Sequence, residues 1–214
     1  MPQVHSVQIG KVAPLGRLGA PSGFVKRPVS GRTSVRVLGL DGDQQADLRV
    51  HGGIEKAVYG YSFDHYRSWE TDFPEHSSKL VAGAFGENLT IRNLVEADIC
   101  VGDVHRIGTT VLQISQPRQP CLKLALNFDD NRIPSAMVRS GRSGWYYRVL
   151  VEGEVGKGDT IELIDRPHPH FAFARLVEFV NRGTATRADL VALRRMDELA
   201  ASVRRRALDR LAEL

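Results

Sequence analysis

A mainly β body with a helical tail is the architecture these residues point to. Two patterns carry that expectation. Up to about residue 165, short and partly alternating apolar runs are separated by glycine-rich turns; after Phe171 the apolar spacing becomes helical. Many short strands broken by turns suit an antiparallel barrel or sandwich, and closure as a barrel would hide the strand edges. Residues 1–166 are expected to form the β domain and residues 167–214 a C-terminal three-helix domain.

The elements follow in order. Val4–Gly10 is β-branched and alternates in part. Thr33–Leu40 reads as a second strand and Asn88–Arg92 as a short third one. His105–Ser115 reads as two strands turning near Gly108. Tyr146–Glu152 and Asp159–Ile164 are expected to pair around the bend at Gly153, Gly156 and Gly158. Three short helices interrupt the strands. Ser62–Thr71 can cap at Ser62 and places Phe63, Tyr66 and Trp69 at helical spacing, a core stripe. Leu122–Asn127 follows Pro120, and Pro134–Arg139 starts at a proline, which suits the first helical turn.

In the tail, Phe171, Leu176, Phe179 and Val180 mark one amphipathic helix. Thr186-Arg187-Ala188-Asp189 resembles a capping box and opens a second helix through Leu190, Leu193 and Met196. Leu199, Val203, Leu208 and Leu211 mark a third. So small a unit is expected to pack on the body or on a second subunit, so a homodimer stays open.

Composition excludes several classes. The 214 residues are 42% hydrophobic and 25% charged, which is ordinary for a globular protein and not for a disordered chain. No apolar run reaches the roughly 20 residues of a membrane span, and Met1–Lys11 has no secretion-signal pattern. The two cysteines, Cys100 and Cys121, build no disulfide framework and no C-x-x-C motif. A cytoplasmic protein with reduced thiols is expected. Of the net charge of +4, most lies in the arginine-rich tail around Arg204-Arg205-Arg206, where acids dilute it; nucleic acid is not the expected partner.

Familiar motifs fail. Asp41-Gly42-Asp43 begins like a calcium loop, but position six is Ala46 and position twelve is Gly52. There is no phosphate loop, no dinucleotide fingerprint, no H-E-x-x-H and no G-x-S-x-G. His168 and His170 are two apart on an extended join and read as structural.

Four loops remain, rich in glycine, charge and turn residues: 23–31, 42–59, 83–90 and 116–123. Cys121 is their most informative residue. It follows Pro120 and has Arg118 and Lys123 close by, and nearby cations favour a thiolate. A thiolate is a nucleophile and a soft metal ligand. Cys100, in an apolar strand-edge context, reads as structural. Gly52-Gly53 lets backbone approach a ligand closely. Lys26, Arg27, Arg49, Lys56, Arg118 and Lys123 could hold an anion, or Asp43, Asp47 and Glu87 could neutralise them in structural pairs.

Together the strings KRPVSG at 26–31, GDQQADLRVHGGIEKAVYGY at 42–61, GAFGENLT at 83–90, VGDVHRIG at 101–108, SQPRQPCLKL at 115–124 and GRSGWYYRVLVEG at 141–153 resemble the MOSC family. Within it they resemble the YiiM branch, the 6-N-hydroxylaminopurine resistance proteins. The resemblance covers roughly residues 20–166, and the tail resembles the three-helix unit of that branch. It implies a MOSC-type antiparallel β-barrel and a molybdopterin-type molybdenum cofactor. It also implies reduction of N-hydroxylated compounds, including hydroxylaminopurines, with electrons from a separate reductase. By that resemblance Cys121 is the molybdenum ligand, and Cys121, His51 and Asn88 are the candidate catalytic residues. Lys26, Arg27, Arg49, Gly52, Gly53, Lys56, Arg118 and Lys123 are the candidate cofactor-binding residues. Glu87 is expected to orient loops or substrate and Asp47 to fix an arginine. Trp145 and Tyr146 either wall the pocket or belong to the core. Two other readings stand beside this one: sulfur transfer through a Cys121 persulfide, and a non-catalytic module binding through the basic helices.

Overall fold

The computed structural model describes residues 1–17, 19–47 and 52–214. The chain opens with β1 (Gln3–Ile9), β2 (Ala13–Leu15), β3 (Ala20–Ser22) and β4 (Arg27–Pro28). Next come β5 (Arg32–Arg36), β6 (Gly39–Leu40) and β7 (Val58–Ser62). A crossover containing α1 (Tyr66–Asp72) leads to β8 (Leu89–Arg92). β9 (Val104–Ile107) and β10 (Thr110–Pro117) precede α2 (Leu122–Phe128) and α3 (Arg132–Ser140). The last strands are β11 (Trp145–Val151), β12 (Gly153–Gly156) and β13 (Ile161–Asp165). The tail holds α4 (Phe173–Arg182), α5 (Arg187–Leu193) and α6 (Ala201–Ala212).

Eight strands form one sheet in the order β13-β9-β10-β11-β7-β8-β1-β4. Every neighbouring pair is antiparallel except β7–β8, which is parallel. A parallel pair needs a crossover, and the stretch around α1 supplies it. The mainly β expectation stands, but the strands do not pair into a closed barrel. The sheet ends at β13 and β4, and β1 meets the segment entering β13 through a bridge at Gln3 and Thr160 and backbone bonds such as Val4 N to Asp159 O at 2.9 Å.

Five local expectations are corrected. Thr33–Leu40 is a hairpin, not one strand: Val37 and Leu38 are exposed at its turn and β5 pairs with β6. β11 and β13 do not pair with each other; β11 lies between β10 and β7, and β13 pairs with β9. The glycine-rich bend between them is itself a strand, β12, paired with β5. Helix Ser62–Thr71 begins as a 3-10 turn, with Ser62 Oγ accepting from Asp64 N, before α1 takes over. α3 starts two residues ahead of Pro134, which sits in its first turn.

Side chains group into two cores. One joins the sheet to the tail: Ile107, Leu112 and Ile114 pack in the same cluster as Phe173, Leu176, Phe179 and Leu190. The capping box of Thr186 and Asp189 forms as the sequence indicates, with both reciprocal bonds made. The second core is aromatic. Tyr61, Tyr66, Trp69, Phe85 and Phe128 gather under α1–α3, and Tyr61 stacks on Phe85 with centroids 4.5 Å apart. Burying each such ring contributes about 2–3 kcal/mol. Several tail arginines are engaged: Arg204 with Asp197, Arg210 with Glu213, and Arg206 with the Val180 carbonyl. Among the described residues no helix is long and apolar enough to cross a membrane.

Candidate functional site

A cleft opens at the rim of the aromatic core, where Tyr59 and Phe24 leave it. It encloses about 570 Å³ of empty space, part of it open to solvent. The loops that line it come from separate stretches of chain. β10 delivers Arg118 and then, past Pro120, Cys121. The same strand anchors the facing turn, because Ser115 Oγ donates to Glu55 O at 2.6 Å. That bond brings Gly52 and Lys56 to the cleft.

Cys121 has extended backbone (φ −124°, ψ 170°) just ahead of α2, and its residue is half-buried. Its Sγ lies 3.7 Å from Nη2 of Arg118. Arg118 itself is buried at 5% exposure. Nη1 donates to Phe85 O at 2.6 Å, and the guanidinium lies 5.1 Å from the rings of Phe24 and Tyr59. An arginine stays protonated in a protein. Among the described residues no carboxylate lies within ion-pair distance of it. The cleft therefore holds a fixed positive charge beside a sulfur.

Lys26 behaves differently. Its Nζ is 2.5 Å from the Asp43 carboxylate, with side chains 7% and 2% exposed. Burial pushes the ammonium below its ordinary range, and Asp43 works against that. Asp43 also accepts from Gly10 N at 2.7 Å and from Asn88 Nδ2 at 2.9 Å. Asn88 Oδ1 in turn accepts from Tyr59 N at 3.1 Å. One carboxylate thus ties three loops. Gly23 lets two of them touch: a Cβ there would sit 1.8 Å from Gln44 O.

The cleft brings together Lys26, Gly52, Lys56, Asn88, Arg118, Cys121 and Lys123 of the expected site residues. Lys123 Nζ donates to Pro21 O at 2.9 Å, and burial lowers the Lys56 ammonium. Arg27 is a correction. It opens β4 as an exposed residue and lines a separate groove with His5 and Lys157, not the cleft. Gly53 heads a 3-10 turn at φ 80° and does not line the cleft. Arg49 and His51 lie outside the described residues. Glu87 is fully buried and braces its own loop, accepting from Gly83 N, Phe85 N, Tyr66 and Thr90. Trp145 is core, whereas Tyr146 lines the cleft. Phe24, Tyr59, Gln44 and Gln45 also line it, and only their places in the loops quoted above hinted at that.

Cys100, His168 and one acidic cluster outside the cleft have contacts of their own. Cys100 is buried, burial pushes its thiol up, and its Sγ lies 3.8 Å from Pro169 O. His168 pairs with Glu198 at 2.7 Å. Glu75, His76 and Asp130 have metal-ligand spacing, but Arg132 bonds both carboxylates and closes the group.

The MOSC domain family model matches residues 47–162. Protein YiiM of Escherichia coli is 42% identical over 148 residues, which are 69% of this chain and 66% of that protein. The match thus spans slightly under two thirds of the E. coli relative. A protein of Gibberella moniliformis named "Reductase" is 38% identical over 171 residues, 79% of this chain but 30% of that one. The crystal structure of YiiM from Geobacillus stearothermophilus superposes with a TM-score of 0.83 at 31% identity, covering 99% of this chain and 100% of that chain.

Proposed function

The chain belongs to the MOSC domain family, and from that premise we propose that it is a molybdenum-dependent oxidoreductase. Its substrates in this reading are N-hydroxylated compounds such as N-hydroxylated purine bases, and a separate reductase supplies electrons. The relative named "Reductase" supports the reaction class. The single observation that carries the reading is the Cys121 sulfur in an open cleft beside buried Arg118.

The residues present fit a molybdopterin-type cofactor. Its metal prefers sulfur, which Cys121 offers. Its phosphate tail calls for cations that are not already matched by acids, and Arg118 meets that condition with Nη2 aimed at the cleft residues. Such a group, once bound, would supply two-electron redox chemistry at the metal. The chain's own residues do the rest. Lys56 and Lys123 add positive charge at the walls. Lys26 is neutralised by Asp43 and holds loops in place rather than offering a free charge. The Gly52 backbone permits close approach. Tyr59 and Tyr146, with ring centroids 5.1 Å apart, form an aromatic wall suited to a planar substrate.

Metal analysis of protein made in cofactor-producing and cofactor-deficient hosts tests this. Near-stoichiometric molybdenum in the first, none in the second, and loss of N-hydroxyl reduction in Cys121→Ser are expected. Full activity in Cys121→Ser refutes the reading. A half-exposed thiol beside a cation also suits a persulfide carrier; a labile extra sulfur on Cys121 in a molybdenum-free protein would favour that alternative.

A further inference from the structure

The chain has five tyrosines. Four have committed hydroxyls. Tyr59 donates to Ser143 O at 2.8 Å, Tyr61 to Arg142 O at 3.2 Å and Tyr66 to Glu87 at 2.5 Å, while Tyr147 bonds His105 Nδ1 at 2.8 Å. Tyr146 differs. Its backbone carbonyl accepts from Ser115, but among the described residues its hydroxyl has no hydrogen-bond partner. Strand alternation puts it where it is: Trp145 and Tyr147 turn into the core at 0% exposure, and Tyr146 turns to the other face and lines the cleft with Cys121 and Arg118. Tyr146 is half-buried and its hydroxyl is not sealed from water, so it meets solvent at the cleft. That hydroxyl is left for a group that enters the cleft.

The geometry points to Tyr146 as the acid that protonates the oxygen leaving the substrate. This rests on the N-hydroxyl reductase reading. In that reaction R–NH–OH takes up two electrons and two protons, the N–O bond breaks, and R–NH2 and water leave. A flavin-type partner reductase supplies the electron pair. The Tyr146 hydroxyl gives its proton to the departing oxygen, and solvent at the cleft mouth gives the second proton to nitrogen. Hydroxide is a poor leaving group, so a proton delivered as the bond breaks speeds the step by about 10²–10⁴-fold. The phenolate left behind is favoured by the Arg118 charge and is reprotonated from solvent.

Tyr146→Phe tests the assignment in the holoprotein. The lost hydroxyl makes no bond among the described residues, so the melting temperature should match wild type. The turnover number for an N-hydroxylated purine should fall about 100-fold, with KM within about threefold. Molybdenum per chain and affinity for a non-reducible O-methyl analogue should not change. A variant with wild-type turnover overturns the assignment. So does one whose defect is weaker analogue binding or lost metal, because Tyr146 would then be a binding group. Wild-type holoprotein that carries molybdenum yet reduces no N-hydroxylated compound overturns the reductase reading, and this assignment with it.

Discussion

Lys26 and Asp43 form a buried ion pair at 2.5 Å, although 17 positions separate them in the chain. Asp43 also takes Gly10 N and Asn88 Nδ2, so the pair is the knot that holds the cleft's loops together. Breaking it from one side strands a charge away from water. Lys26→Met and Asp43→Leu should each destabilise by about 3–5 kcal/mol in urea unfolding. The double variant should lose far less than the two together. Additive losses would show that the pair is not coupled.

Among the described residues the Sγ of Cys121 has only the long contact to Arg118, and no bond the fold depends on. Cys121→Ser should therefore unfold within about 1 kcal/mol of wild type while losing the proposed metal. A large drop in stability would instead make the thiol a packing residue.

Arg27 and Arg118 should separate cleanly. Arg27 is exposed in another groove, and Arg118 is buried in the cleft. On the proposed reading, Arg27→Ala should leave molybdenum retention at the wild-type level, and Arg118→Ala should lower it at least about tenfold through loss of a charge-assisted contact. Metal analysis after gel filtration reads both. Equal loss in the two variants would contradict the placement of the cation sites.

His105 makes stability depend on pH. It is buried at 2% exposure, and burial is the main cause that holds its pKa down at about 4. The unfolded chain takes up that proton near pH 6.5, before the folded one does. Stability from this group is complete above about pH 6.5 and drains away as the pH falls towards 4, by roughly 3 kcal/mol at most. Urea midpoints of wild type and His105→Gln between pH 7 and 4.5 measure it. The wild-type curve should fall more steeply; parallel curves would exclude His105 as the cause.

Local signals were legible in the sequence, and distant ones were not. Thr186 and Asp189 are three apart, so their capping box could be read directly. Cys121 stood out through neighbours two and three positions away, and those are the residues that line the cleft with it. β7 lacked the alternation of a half-exposed strand because all five of its residues are buried. β12 was hidden by glycines that read as a bend. Arg27 was grouped with Lys26 because sequence adjacency does not show that only one of the two lines the cleft. The choice between free and neutralised cations depended on Asp43, whose partners lie as far as 45 positions away.

The cleft walls come from stretches as far apart as Lys26, Gly52, Cys121 and Tyr146. No fragment of a growing polypeptide owns a half-built version of it. A nascent chain on the ribosome lacks the whole cleft until β11 has emerged and paired with β7 and β10. On the proposed reading, loading is therefore an event in the life of the finished protein, and its yield in any host will track the supply of cofactor after synthesis rather than during it.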